Sequence, residues 1–85
     1  MTPLPMRLSD LPHHATALVL AVEGVGANDT IAHRLRDLGF VKGEPVRVVA
    51  HGPFQRDPLL VQIGFTRFAL RRTEAQRVRV ELAAA

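Results

Sequence analysis

Apolar and polar positions alternate most regularly near the C-terminus, where Val78, Val80 and Leu82 occupy one parity and Arg77, Arg79 and Glu81 the other. That period of two predicts a strand with the valines and Leu82 facing in. Residues 15–22 are apolar on both parities, with Leu18, Leu20 and Val22 on one and Ala17, Val19 and Ala21 on the other, which predicts a central or covered strand. Residues 45–51 set Val46, Val48 and Ala50 against Arg47, Val49 and His51. Residues 59–65 place Leu59, Val61, Ile63 and Phe65 on one face, and a turn at Thr66-Arg67 leads into a short strand at 68–70. Six prolines and six glycines divide these runs, the punctuation of a small β-rich domain.

The helical signal is confined to residues 28–39, about three turns at 3.6 residues each. Asn28 or Asp29 can cap its start, and Ile31, Leu35 and Leu38 share one face. Gly39 suits the left-handed position after the last turn, which would bring Phe40 back against Leu35. Gly43 and Pro45 make a tight connection into the next strand. Residues 6–11 read as a lead-in turn placing Leu8 and Leu11 on the core, residues 52–58 as a turn-rich loop exposing Phe54, and residues 71–76 as one helical turn. Gly64 is expected to mark a bulge or a close backbone approach.

Together these elements predict a mostly β fold, a small SH3-like barrel of about five strands. One α-helix follows the first strand and a helical turn precedes the last. Closure would remove exposed sheet edges. Residues 1–5 are expected to be an N-terminal extension, 6–82 the single domain and 83–85 a frayed tail.

Composition narrows the chemistry. Eighty-five residues support one modest core. The absence of cysteine excludes disulfides, thiolate metal sites and cysteine nucleophiles. The formal charge is +3, and ten of the eleven bases are arginine. The first 44 residues stand at −1 and the remainder at +4. No apolar run approaches the length of about 18 residues needed for a membrane helix. Pro3 and Pro5 interrupt the N-terminus without a basic region, so a cytoplasmic location is expected.

Residues 35–48 (Leu-Arg-Asp-Leu-Gly-Phe-Val-Lys-Gly-Glu-Pro-Val-Arg-Val), 53–59 (Pro-Phe-Gln-Arg-Asp-Pro-Leu) and 69–80 (Ala-Leu-Arg-Arg-Thr-Glu-Ala-Gln-Arg-Val-Arg-Val) occur in an order and spacing that resembles the bacterial ferrous iron transport protein A family. The resemblance spans residues 6 to 82. It implies an SH3-like fold and a small cytoplasmic accessory to ferrous iron transport protein B, a permease with a cytoplasmic GTPase domain. It implies no catalysis by this chain. The domain also looks like the C-terminal SH3-like module of metal-dependent repressors, so a nucleic-acid-associated or repressor-like role is the alternative. Pro12-His13-His14 departs from the glycine that the family often carries there.

Candidate chemistry is sparse. Adjacent His13 and His14 diverge on an extended backbone and could chelate only in a turn, while His33 lies on the helix and His51 ends a strand. Transition metals need three or four converging ligands, so no metal site is expected and ferrous iron is a weak cofactor possibility. Asp37, Asp57, Glu44 and Glu74 fall on turns or exposed faces, and Ser9 is the only serine. Gly24-Val-Gly26 precedes a helix, but no Gly-Lys-Ser/Thr follows, so GTP binding is not expected. Arg67, Arg71, Arg72, Arg77 and Arg79 admit three readings: a solvated face, a protein-facing surface, or phosphate contacts beside Phe54, Phe65 and Phe68. Nucleic acid is the least expected. For docking on a partner the candidates are Leu38, Phe40, Val41 and Phe54 as apolar contacts, with Arg71 and Arg72 as charged ones. Oligomeric state, and the sign of any effect on the partner, are open.

Overall fold

Valines and leucines on alternating positions assemble one antiparallel sheet in the computed structural model, which describes residues 6–55 and 57–83. The elements in chain order are β1 (Met6–Arg7), a 3-10 turn (Leu8–Asp10), β2 (Thr16–Val22), α1 (Thr30–Asp37), β3 (Pro45–Phe54), β4 (Asp57–Ile63), β5 (Thr66–Leu70), α2 (Arg72–Ala75) and β6 (Val78–Leu82). The strand order is β1-β6-β2-β3-β4-β5. Six strands replace the expected five, because Met6 and Arg7 pair with Val80 and Arg79 before the lead-in turn begins. Leu8 and Leu11 are buried, as the lead-in reading requires. Among the described residues no ladder joins β1 to β5, so the sheet keeps two edges.

Strand β2 does not alternate cleanly. Ala17 and Val19 are buried, but a register shift between Val19 and Ala21 turns the chain over, so that Val22 is the next buried residue. The expected grouping of Leu18, Leu20 and Val22 on one face is therefore broken by a bulge, which inserts one residue and exchanges the faces.

Helix α1 begins one residue after Asp29, whose carboxylate accepts from the Ile31 and Ala32 amides at 3.0 and 3.2 Å. It runs eight residues, just over two turns, shorter than its sequence pattern. Its stop is a Schellman motif: the Gly39 amide donates to the Arg36 carbonyl and the Phe40 amide to the Leu35 carbonyl, both at 3.1 Å. Gly39 takes φ +111° to make this turn. The chain then drives Phe40 into the core, where its ring lies 6.1 Å from that of Phe68. Val19 and the 41–45 connection are stitched together by Gly43 N–H to Val19 O at 2.8 Å and Val19 N–H to Glu44 O at 2.9 Å.

Two hairpins differ from expectation. The supposed loop at 52–58 is the end of a long hairpin, with Phe54 paired to Asp57. Irregular register between His51 and Phe54 accounts for the weak period there. At the other end, Ile63 pairs with Thr66, so Gly64 and Phe65 form the turn and Thr66-Arg67 already belong to β5. Phe65 consequently stands 105% exposed instead of facing in. Leu82, expected inside, is also exposed, at the last position of β6 opposite Ala17.

Candidate functional site

The docking candidates fall in different places. Phe40 is 1% exposed and takes no part in any surface, because the helix stop that defines it also buries it. Leu38 is half-buried against the core and lines a groove beside β5. Val41 is exposed in the connection before β3. Phe54 is 79% exposed and lines a shallow depression of about 270 Å³ with Asp57, Pro58 and Arg71. Only Phe54 and Arg71 of the six residues therefore meet in one depression. Arg72 lies next to it through its backbone, which donates to Asp57 Oδ1 at 2.9 Å.

The short helix α2 positions the arginine pair. Glu74 Oε1 accepts the Arg71 amide at 2.7 Å, closing the first turn. Both carboxylates near the depression thus satisfy backbone donors at a helix start, where negative charge is favoured. Their work is structural. Arg71 and Arg72 are both exposed.

Arg77 is not on a solvated face. Its Nε donates to Asp29 Oδ2 and its Nη1 to the Thr73 carbonyl at 2.7 Å. The Asp29 and Arg77 side chains retain only 6% and 16% of their exposure. Asp29 also accepts the Val25 amide at 2.8 Å, so one carboxylate fixes the Gly24-Val-Gly26 loop, caps α1 and anchors the chain before β6. The Val25 amide first, then the Arg77 side chain, hold its pKa far below the usual carboxylate range, against a smaller opposing effect of burial. Nothing in a sequence links two residues 48 positions apart in this way.

Glu23 organises the neighbouring cleft of about 590 Å³, whose lining includes Arg7, Asp10, Glu23 and Arg77. It pairs with Arg7 and, at 3.4 Å, with Arg79. The hydrogen bond from Arg7 lowers its pKa despite partial desolvation, and the charges of Arg7 and Arg79 act the same way. The cleft's arginines are therefore neutralised by this chain's own carboxylates.

The histidines meet in a way adjacency does not suggest. His14 adopts φ +67°, and the His13 and His14 rings stack with centroids 4.0 Å apart and 14° between planes. His51 meets His13 edge-on at 5.4 Å. Imidazole lone pairs lie in the ring plane, so two parallel stacked rings do not aim at a common ion. His13 Nε2 lies 2.7 Å from the Val49 carbonyl, and Arg47 Nη2 donates to His14 Nδ1 at 3.3 Å. Among the described residues no group of three or more His, Cys, Asp or Glu side chains is arranged to hold a metal ion.

A feature the sequence did not disclose is the groove between α1 and β5. It encloses about 340 Å³ and is lined by Ile31, Leu35, Leu38, Phe68 and Leu70, with Arg34, Arg67 and Glu74 at its margins. The Arg34 side chain makes no hydrogen bond or ion pair with another described residue. Among the described residues no helix is long and apolar enough to cross a membrane.

Comparison with known proteins gives these surfaces a context. The chain is 38% identical over 77 residues, 91% of its length, to an Fe(2+) transport protein A/Fe(2+) transporter FeoB fusion protein of Porphyromonas gingivalis, of which it spans 9%. The crystal structure of Stenotrophomonas maltophilia FeoA, a prokaryotic SH3 domain protein complexed with zinc, matches at TM-score 0.84 and 63% identity over 89% of each chain. A manganese-dependent transcriptional repressor matches at TM-score 0.79 and 20% identity, over 98% of this chain and 44% of that one, a likeness of fold alone. The FeoA domain model matches residues 6–82. A six-stranded SH3-like sheet with this helix stop, this arginine-bearing turn and that match over nearly its whole length places the chain in the FeoA domain family.

Proposed function

We propose that this chain is a cytoplasmic accessory module of ferrous iron uptake that docks on the GTPase domain of ferrous iron transport protein B and does no chemistry itself. The observation that carries the reading is the fusion: in the Porphyromonas gingivalis relative a matching domain and the transporter form one polypeptide. Covalent linkage raises the effective concentration of two modules that act together, and separate chains achieve the same pairing by a docking surface. The Phe54 and Pro58 depression with Arg71 beside it supplies an exposed aromatic anchor and a cation, the combination enriched at protein interfaces. Arg72 extends the charged margin. Val41 stands exposed on a separate turn and is a secondary contact.

Binding to the isolated GTPase domain tests this. Phe54→Asp is expected to weaken it at least about tenfold, the loss typical of removing an apolar anchor from an interface. Phe65→Asp, at a residue even more exposed but on another hairpin, is expected to leave it unchanged. Wild-type affinity in a folded Phe54→Asp protein would discard this surface, and no binding by the unsubstituted chain would discard the reading.

A further inference from the structure

The sheet ends at β5 with one edge uncovered. The two-residue turn makes Ile63 and Thr66 a hydrogen-bonded pair, and in an antiparallel ladder such pairs alternate with non-bonded ones. Val61–Phe68 and Leu59–Leu70 are then the further bonded pairs, so the N–H and C=O groups of Arg67 and Ala69 point away from β4. Neither residue's backbone is bonded to another described residue on that side. Unpaired edge groups are a template for another strand. Arg67 and Ala69 both line the α1–β5 groove, so this edge borders it.

We propose that this groove is a strand-addition site, taking an extended segment of a partner protein that alternates apolar and acidic residues as a seventh strand on β5. An extended peptide held between an edge strand and a helix is an established recognition mode, in which main-chain hydrogen bonds provide affinity and alternate side chains fill the groove. The floor of Leu38, Phe68 and Leu70 suits apolar side chains at every second position. The charge at the margins decides what the remaining positions carry. The Arg34 side chain has no partner among the described residues, and the Arg67 side chain reaches only the neutral Gln62, at 3.2 Å. The single anion there, Glu74, is already accepting the Arg71 amide. Acidic side chains on the incoming strand complement this margin. A second copy of this chain would instead bring the same basic margin, Arg34 and Arg67, to that edge, where like charges brought together are destabilising.

The groove and the Phe54 depression have no lining residue in common, so the inference stands whether or not the partner is the transporter. The probe is an end-capped synthetic peptide of about eight residues, a common strand length, alternating valine and glutamate. A matched peptide carries lysine for glutamate. Titrated into the 15N-labelled chain, the glutamate peptide is expected to shift the Arg67 and Ala69 amide resonances saturably and slow their hydrogen exchange. Arg34→Glu should weaken binding about tenfold by reversing a rim charge. Ala69→Pro removes an outward N–H while leaving the β4 ladder intact, and should abolish it. Should Ala69→Pro fail to fold, the exposed helix-surface change Arg34→Glu decides. Equal binding of the lysine peptide, shifts confined to the residues around Phe54, or β5 amides that broaden with protein concentration alone would each overturn the proposal. Failure here would leave the GTPase-domain result untouched, and the reverse also holds.

Discussion

Replacing Phe40 with alanine removes the largest fully buried side chain among the described residues. Its ring packs at 50° against Phe68 on β5, and its backbone amide closes the Schellman motif onto Leu35. Truncation leaves a cavity between α1 and the sheet that a rigid hairpin cannot fill, so the cost should sit in the range of roughly 3–5 kcal/mol measured for buried aromatics. A domain of this length has a total stability of roughly 4–13 kcal/mol at 0.05–0.15 kcal/mol per residue. The substitution thus consumes about a quarter of the stability or more. At roughly 4–8 °C per kcal/mol for a domain of this size, the Tm should fall by roughly 12–40 °C. Phe65→Ala is the internal control: the same deletion at a residue 105% exposed should stay within about 0.5 kcal/mol of the parent protein. Urea unfolding followed by far-UV circular dichroism separates the two. Midpoints of Phe40→Ala and Phe65→Ala that agree within experimental error would refute the packing argument. The contrast also bears on function, since any loss of partner binding in Phe40→Ala must be referred to the folded fraction before it is read as a contact.

Two other perturbations have definite outcomes. Asp29 and Glu23 both have pKa values lowered by folding, so their stabilisation is fully present above their ordinary values near pH 4 and is lost as pH falls towards the depressed ones. Asp29→Asn keeps a good helix cap but removes the charge facing Arg77; thermal melts from pH 7 to pH 2 should show a lower Tm at neutrality and a flatter acid limb, and an unchanged slope would contradict this account. A Cβ at Gly52 would collide with the Asp57 carbonyl and the Pro58 ring across the hairpin, whereas one at Gly64 would meet nothing and carry only the strain of φ +59°. Gly52→Ala should therefore cost roughly 1–3 kcal/mol or more and Gly64→Ala about 1 kcal/mol, and a reversed order in urea midpoints would show that the hairpin yields at Gly52.

Local patterns were legible where short-range chemistry decides. Asp29 caps α1, Gly39 and Phe40 stop it, and Val78 and Val80 face in, because each depends on neighbours within a turn or on the pleat itself. Phe65 departs from its pattern for a related reason. The alternation of β4 continues two residues past the last pair, and only the pairing of Ile63 with Thr66 turns Phe65 outward. The β2 bulge leaves no mark in the sequence, because an all-apolar run reads the same in either register.

The candidate site was legible only in part. Exposed Phe54 and the arginines at the start of α2 followed from loop and turn chemistry, but their meeting in one depression required the β3–β4 hairpin to fold beside α2. Arg77 looked like any outward strand residue until Asp29, far away in the chain, proved to be its partner. By itself the sequence determined the helix and its ends, the alternating strands, most of the core and the family. Which charges are spent on internal pairs, which sheet edge stays open and which apolar side chains share a groove were decided by tertiary structure alone. Those properties depend on contacts between segments distant in sequence, and no periodicity within a segment encodes its neighbour.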